Sequence, residues 1–469
     1  MTNVTKIFGA PGCGKTHRLM RILTEVLKVC PPERVAFVSF TKKGTYEGVD
    51  RAKMQFGFKD AQLPYFRTLH SIAFRAGEYS RHDMISKSNY REFSDAMGMH
   101  FTGYYTEEFY NNDDKYLFMH FMKRNNPDAA KRYAVDMNVR VLDEVETNYA
   151  RYKEQSEVYD FTDILERFVQ AGEALPVDYA IVDEAQDLTT LQWTMCDVAF
   201  PGCKQVYVAG DDDQAIYEWS GADVGRFLSL KADETEILGQ SYRLKKNILT
   251  IAHDISKRIS VRVEKEFKPD ERDGDGKVLY YNELSEVQLN TSETWYFLCR
   301  NNWFLSRYRE YLRARARVFV DKDGLSFDQR QVDAINLFEA ARKRGRLTDV
   351  DEVKLRLHID GKPDLTRPWY ECMHFTNDMI AYYRDLIKYK VNLKDRSLTV
   401  DTIHGVKGGE ADNVVLMLDF TRAVKNNLEH NPDAELRCLY VAVTRAKKKL
   451  HIVYSSSTNG YDQYIRRPE

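Results

Sequence analysis

Residues 9–16 read GAPGCGKT, and what surrounds them decides the fold. The run before them, residues 4–8, is strand-like, and residues 16–29 carry a helical apolar pattern. A strand, a glycine-rich turn and a helix are the context that G-x-x-x-x-G-K-[ST] requires. The glycines let backbone N–H groups wrap phosphates at a helix N-terminus. Lys15 reaches the β- and γ-phosphates, and Thr16 is a ligand for Mg²⁺. A chance glycine turn is the competing reading, and the flanking strand and helix weigh against it.

Outward from this loop, strand-like runs recur at residues 35–40, 179–182 and 206–209, with helical patterns between them. That alternation predicts an α/β fold with a parallel sheet covered by helices. Residues 84–150 differ: they are rich in Tyr, Asp, Asn and Lys and lack buried-strand runs, which predicts a mainly helical insertion. A second α/β pattern begins near residue 238, with strands at 295–299, 398–402 and 413–418. Residues 321–395 between them are charged and helix-rich, with a break at DGKP (360–363). The expected organisation is a first core of residues 1–83 and 151–237, interrupted by 84–150. A second core of residues 238–320 and 396–469 is interrupted by 321–395.

The bulk numbers narrow the function. A chain of 469 residues exceeds one ordinary core. Its 69 basic and 71 acidic residues leave a net charge of -2, so any nucleic-acid surface is local rather than a basic coat. Seven cysteines at 13, 30, 196, 203, 299, 372 and 438 include no C-x-x-C, which argues for reduced thiols and against zinc. The phosphate loop starts too early for a signal peptide, and the apolar run 414–418 is too short to cross a membrane. A cytoplasmic location, bacterial or in a phage's host, is expected.

Two acidic stretches supply further chemistry. IVDEAQD (181–187) ends a strand and presents Asp183 to a metal, with Glu184 beside it to orient or deprotonate water. GDDDQAIYEWSG (210–221) sets three acids, an amide and two large aromatics at another strand's C-terminal end, where open α/β sheets bind their ligands.

The phosphate loop, VDEAQD, GDDDQAIYEWSGA, QSYRLKKNIL, TIHGVKGGE and LYVAVTRAKKKL occur in the order of superfamily 1 helicases. The Tyr-x-Trp of the third block resembles the UvrD/Rep branch. The blocks run from residue 9 to residue 450, so the resemblance covers nearly the whole chain. It implies two RecA-like P-loop cores with ATP hydrolysed between them. Gly9, Ala10, Pro11, Gly12, Cys13, Gly14, Lys15 and Thr16 would cradle the nucleotide, with Thr16 and Asp183 on Mg²⁺ and Glu184 acting on water. Gln214 matches a glutamine on the γ-phosphate, Tyr242 an aromatic stacked on adenine and Arg243 an arginine on the γ-phosphate. Glu410 matches an acid near the ribose, and Arg445 an arginine finger. The positions that resemble single-stranded DNA contacts are Phe40, Thr41, Thr68, His70, Tyr217, Trp219, His404 and Lys407. By their own patterns, Phe40 and Trp219 also read as core residues, and His70 and His404 as ordinary hydrogen-bonded histidines.

The chain departs from the family in three places. The eight residues before Gly9 hold no glutamine to read adenine, so a relaxed nucleotide preference is expected. The usual Gly-Leu-Glu is Gly408-Gly409-Glu410, which suggests a looser loop. Both insertions are short, in keeping with a compact phage or mobile-element protein. The resemblance implies a 3′-to-5′ single-stranded DNA translocase and helicase acting on forks or 3′-tailed duplexes with repair or replication proteins. A translocase that strips proteins with little unwinding, a repair or recombination subunit, and a nucleotide-gated DNA-binding switch are the alternatives.

Overall fold

The computed structural model of the chain describes residues 2–40, 42–104, 111–133, 137–290 and 292–466. The stretch VAFVS is buried along its whole length, as a strand covered by helices on both faces must be. It forms β2 (Val35–Ser39) of a six-stranded sheet with β1 (Asn3–Gly9), β3 (Phe66–Arg67), β4 (Tyr179–Asp183), β5 (Gln205–Gly210) and β6 (Glu234–Leu238). All pairings are parallel, in the order β3-β2-β4-β5-β1-β6. Side chains alternate between two cores. Ile7, Val35, Phe37, Ile181 and Ala209 pack with Leu19 and Leu23 of the helix Lys15–Val26. Phe8, Ala36, Val38, Val182 and Val208 pack on the other face with Leu165, Trp193 and Phe227.

The register sets the strand ends level. Phe8 lies opposite Gly210, and Ser39 opposite Asp183. Phe40, the acids of VDEAQD, the GDDDQ segment and the phosphate loop therefore all leave the same carboxyl edge of one sheet, where α/β folds bind ligands.

The insertion predicted as helical contains the helices Lys87–Met97, Asp114–Asn125, Pro127–Tyr133 and Val139–Gln155. Its small cores centre on Phe93, Leu117 and Tyr149, and on Phe118, Met122 and Leu142. An internal ion cluster ties it to the helix Phe161–Ala171: Arg124 reaches Asp160, Asp163 and Glu166, and Lys153 reaches Asp160 and Asp163.

The second sheet contains β7 (Lys277–Tyr281), β8 (Trp295–Cys299), β9 (Val320–Asp321), β10 (Gly324–Leu325), β11 (Leu398–Thr402), β12 (Ala411–Met417) and β13 (Ala446–Val453). Its order is β10-β9-β11-β8-β12-β13-β7, parallel except for the β9–β10 pair. Its insertion has its own core of Phe338, Leu355, Trp369, Tyr382 and Tyr383.

By internal packing the chain divides into Met1–Asp275 with Asn426–Thr444, and Gly276–Lys425 with Arg445–Glu469. Sequence patterning instead puts the boundary at residue 238 and assigns 426–444 to the second core. The helix Pro432–Val443 accounts for part of the difference, because it is buried on every side from Glu435 to Val443. A helix buried on every side is enclosed by its neighbours, its Glu435 and Arg437 included. Here these include the helix Lys246–Ser256 and the turn Asp212–Gln214.

Candidate functional site

The phosphate loop is shaped by its glycines. Gly12 and Gly14 have φ of 73° and 82°, a left-handed conformation that costs other residues about 1–2 kcal/mol. Gly12 is also tightly enclosed, since a Cβ there would lie 2.2 Å from the Cβ of Arg243. The contact arises because the Tyr242 N–H donates to the Gly12 carbonyl (2.8 Å) and the Ser241 hydroxyl to that of Pro11 (3.0 Å). The QSYR segment thus docks on the phosphate loop. The Tyr242 ring is 60% exposed, beside Gly14.

Lys15 donates to the Gly9 carbonyl (2.8 Å). Burial works against its ammonium, while the Cys13 sulfur and the carboxylates of Asp211, Glu184 and Asp183 favour it, and the net shift is upward. Burial also raises the Cys13 thiol, which is therefore neutral near pH 7. The three carboxylates are what hold the charge on Lys15. Thr16 follows on the first helical turn.

Asp183 ends β4 and is 4% exposed; its Oδ1 accepts the Glu184 N–H (2.9 Å). Glu184 itself has φ 53°, an uncommon conformation for a residue with a side chain. Strained backbone of this kind clusters at functional sites. Gln186, fully buried, donates to Glu184 Oε2 (2.6 Å), and its own oxygen accepts the Asp211 N–H (3.0 Å).

The three acids of GDDDQ are wholly buried and paired within the protein. Lys265 lies among them, 3.0 Å from Asp211, 3.1 Å from Asp213 and in close contact with Asp212. Arg262 forks onto both oxygens of Asp213 at 2.8 Å. Arg437 donates to the Asp212 carbonyl (2.9 Å). Burial works to raise Asp211, but Lys265 and Lys15 outweigh it and hold the carboxyl below the ordinary range. For Asp212 burial prevails, and the shift is upward. Lys265 moves up despite burial, because of Asp211, Asp213 and Asp212. Gln214 is buried and donates to Asp211 (2.7 Å).

Lys265, Arg262, Arg437 and Gln186 were not foreseen as site residues. The only available signal was charge: three buried acids need nearby cations. Lys265→Met is expected to destabilise the protein by about 3–5 kcal/mol, because it leaves buried carboxylates uncompensated. In the variant those acids hold protons more tightly folded than unfolded, so the deficit shrinks as pH falls. Chemical denaturation at several pH values measures both effects.

The aromatics form a chain across the edge. Phe40 is 5.4 Å from Tyr217, Tyr217 is 6.5 Å from Trp219, and Trp219 stacks at 6.3 Å on Phe118 of the insertion. Phe40, Tyr217 and Trp219 are half-buried. Segment 211–219 therefore runs from the carboxylates beside Lys15 to the ring of Phe40. Thr68 caps the helix Leu69–Ala76, accepting the Ser71 N–H. His70 sits edge-on to Phe161, and burial pushes its pKa down to about 4, so the ring is neutral near pH 7. Thr41 lies outside the described residues.

In the second unit, His404 and Lys407 are half-buried in the turn after β11, and Glu410 is exposed, 3.9 Å from Lys447. The two glycines differ: Gly408 has φ 79° and open space around it, whereas a Cβ on Gly409 would lie 2.5 Å from the Tyr296 hydroxyl. Tyr296 takes up the space a side chain at 409 would use. Arg445 is 1% exposed and donates to the Gly409 carbonyl (3.1 Å).

A family model of the UvrD/REP helicase N-terminal domain matches residues 1–235, and one of the UvrD-like helicase C-terminal domain matches residues 397–453. The ATP-dependent DNA helicase PcrA of Staphylococcus epidermidis is 29% identical over 321 residues, covering 60% of this chain and 41% of that protein. PcrA of Staphylococcus aureus is 28% identical over 321 residues, with the same coverage. The chain spans about two fifths of the length of these curated relatives. A crystal structure of arterivirus nonstructural protein 10, a helicase, aligns at TM-score 0.38 and 12% identity over 98% of this chain and 61% of that one, a likeness too low to carry an argument.

Proposed function

The chain belongs to the UvrD/REP helicase family, and on that premise we propose that it is an ATP-driven motor that moves 3′ to 5′ along single-stranded DNA and unwinds forks or 3′-tailed duplexes. The observation that carries the reading is the common edge of the first sheet. Lys15, Asp183, Glu184 and Asp211–Gln214 leave β1, β4 and β5 side by side, with Phe40 and Tyr217 farther along.

The roles follow from chemistry. Backbone N–H groups of Gly9–Thr16, Pro11 excepted, bind phosphate oxygens at a helix N-terminus, and Lys15 adds its charge. A hydroxyl and a carboxylate are the hard oxygen donors magnesium takes, so Thr16 and Asp183 would hold Mg²⁺, which neutralises phosphate charge when bound. Glu184 takes a proton from the attacking water. Gln214, Arg243 and Arg445 meet the γ-phosphate, Tyr242 stacks on the base, and Glu410 lies near the ribose. Cellular roles in repair or replication belong to the same proposal.

For DNA, Phe40, Tyr217 and Trp219 offer stacking faces that suit any base, with Thr41, Thr68, His70, His404 and Lys407 as further contacts. A neutral His70 would act by hydrogen bonding, not by charge. Trp219→Ala is expected to weaken single-stranded DNA binding about 5- to 150-fold, the equivalent of roughly 1–3 kcal/mol of stacking, and to cripple unwinding. Fluorescence anisotropy with a labelled oligonucleotide measures it. Unchanged affinity with a lower melting temperature would assign Trp219 to packing on Phe118 alone.

The function itself is tested by steady-state ATP hydrolysis with and without single-stranded DNA, then by forks carrying 3′ or 5′ tails. Stimulated hydrolysis with unwinding from 3′ tails supports the reading. Stimulation without unwinding favours a translocase that strips proteins from DNA. Binding without turnover favours a nucleotide-gated switch.

A further inference from the structure

Gln186 has no role in the chemistry above, yet both ends of its amide are engaged. Nε2 donates to Glu184 Oε2 (2.6 Å) and Asp187 Oδ2 (3.2 Å), and Oε1 accepts the Asp211 N–H (3.0 Å). The reverse amide orientation would aim its oxygen at two carboxylates, so the partners dictate the assignment. The side chain is 0% exposed. The neighbouring strand makes room for it: a Cβ on Gly210 would come 2.5 Å from Gln186 Oε1. Asp211 in turn accepts the Gln214 amide at 2.7 Å. One amide thus joins the carboxylate at the end of β4 to the backbone at the end of β5.

We propose that Gln186 is a positioning residue for Glu184. It fixes the carboxylate in its hydrolytic orientation and ties that orientation to the segment bearing Gln214. The proposal rests on the reading of this chain as an ATP hydrolase. Glu184 needs such a hold. Its backbone is left-handed, and a glutamate side chain has three rotatable bonds with which to leave the line of attack. A hydrogen bond from an amide directs one oxygen without adding a charge of its own. The link also runs in the other direction. A displacement of segment 211–214 moves the Asp211 N–H, and Gln186 carries that displacement to the group acting on water. Nucleotide sensing and water activation would then be coupled through a path of two hydrogen bonds.

The test compares Gln186→Met, an apolar side chain of similar shape, with Gln186→Glu, which keeps the size but cannot donate when ionised. Both are assayed for ATP hydrolysis, for binding of a fluorescent ATP analogue and for thermal melting, alone and combined with Glu184→Gln. The expected result is a fall in kcat of about 10²-fold, in line with a displaced catalytic group. KM and analogue affinity should stay near wild type. In the Glu184→Gln background, either Gln186 substitution should cost little more, because residues acting through one another are not additive. Wild-type kcat in both variants overturns the proposal. So does a kcat loss of the same size in the Glu184→Gln background, which would mark a merely structural role. Should one variant fail to fold by melting, the other decides. A wild-type chain that binds the analogue but does not hydrolyse ATP removes the underlying reading instead, and the proposal with it.

Discussion

Lys15→Ala is expected to abolish ATP hydrolysis. The Lys15 ammonium is the loop's only side-chain cation, and Asp211, Glu184 and Asp183 keep it charged despite burial. Alanine takes away the charge proposed to meet the β- and γ-phosphates. It also leaves the carboxylates of that edge facing incoming phosphate, so like charges meet where opposite ones met before. Binding should weaken together with turnover. Steady-state hydrolysis and titration with a fluorescent ATP analogue read the two effects. Retention of wild-type turnover would exclude the loop as the hydrolytic site.

Arg445→Ala is expected to lower turnover by a factor of about 10³ or more, the size of effect other arginine fingers supply. A guanidinium suits this role because it stays charged and meets phosphate oxygens with a planar fork. DNA binding without nucleotide should survive. Arg445 also has a structural contact, its bond to the Gly409 carbonyl. Arg445→Lys separates the two functions: it keeps a charge able to reach a carbonyl but loses the fork. Turnover restored by lysine would confine the residue to holding the Gly409 turn.

Local patterning served well where one stretch determines its own structure. Residues 295–299 and 398–402 are strands with the bounds their apolar runs predicted, and the phosphate loop sits between strand and helix as its motif requires. It served poorly where distant residues decide. GDDDQ reads as an open, carboxylate-rich loop, but Lys265 and Arg262, about fifty positions downstream, bury it as an ion cluster. Nothing in VRVEKEF announces that partner. Trp219 reads either as a stacking face or as core. The structure gives it features of both, because Phe118 comes from an insertion whose helices have no motif of their own. The sequence LRCLYVAV declares a buried element, but burial alone does not say which sheet's surroundings enclose it.

The helix Pro432–Val443 bears on how the chain is made. The unit containing the phosphate loop comprises Met1–Asp275 and Asn426–Thr444, with Gly276–Lys425 lying between them in the order of synthesis. The whole of Gly276–Lys425 is therefore polymerised before the last buried helix of that unit exists. Domains usually fold as units, the N-terminal one first as the chain emerges. Here the unit lacks a wholly enclosed helix until the intervening segment has been made. During that interval the apolar surface that will receive Leu436, Leu439 and Val443 is exposed to the nascent chain's surroundings. The vulnerable period for aggregation or chaperone capture is set by the distance along the chain between the two segments, not by the size of the unit they complete.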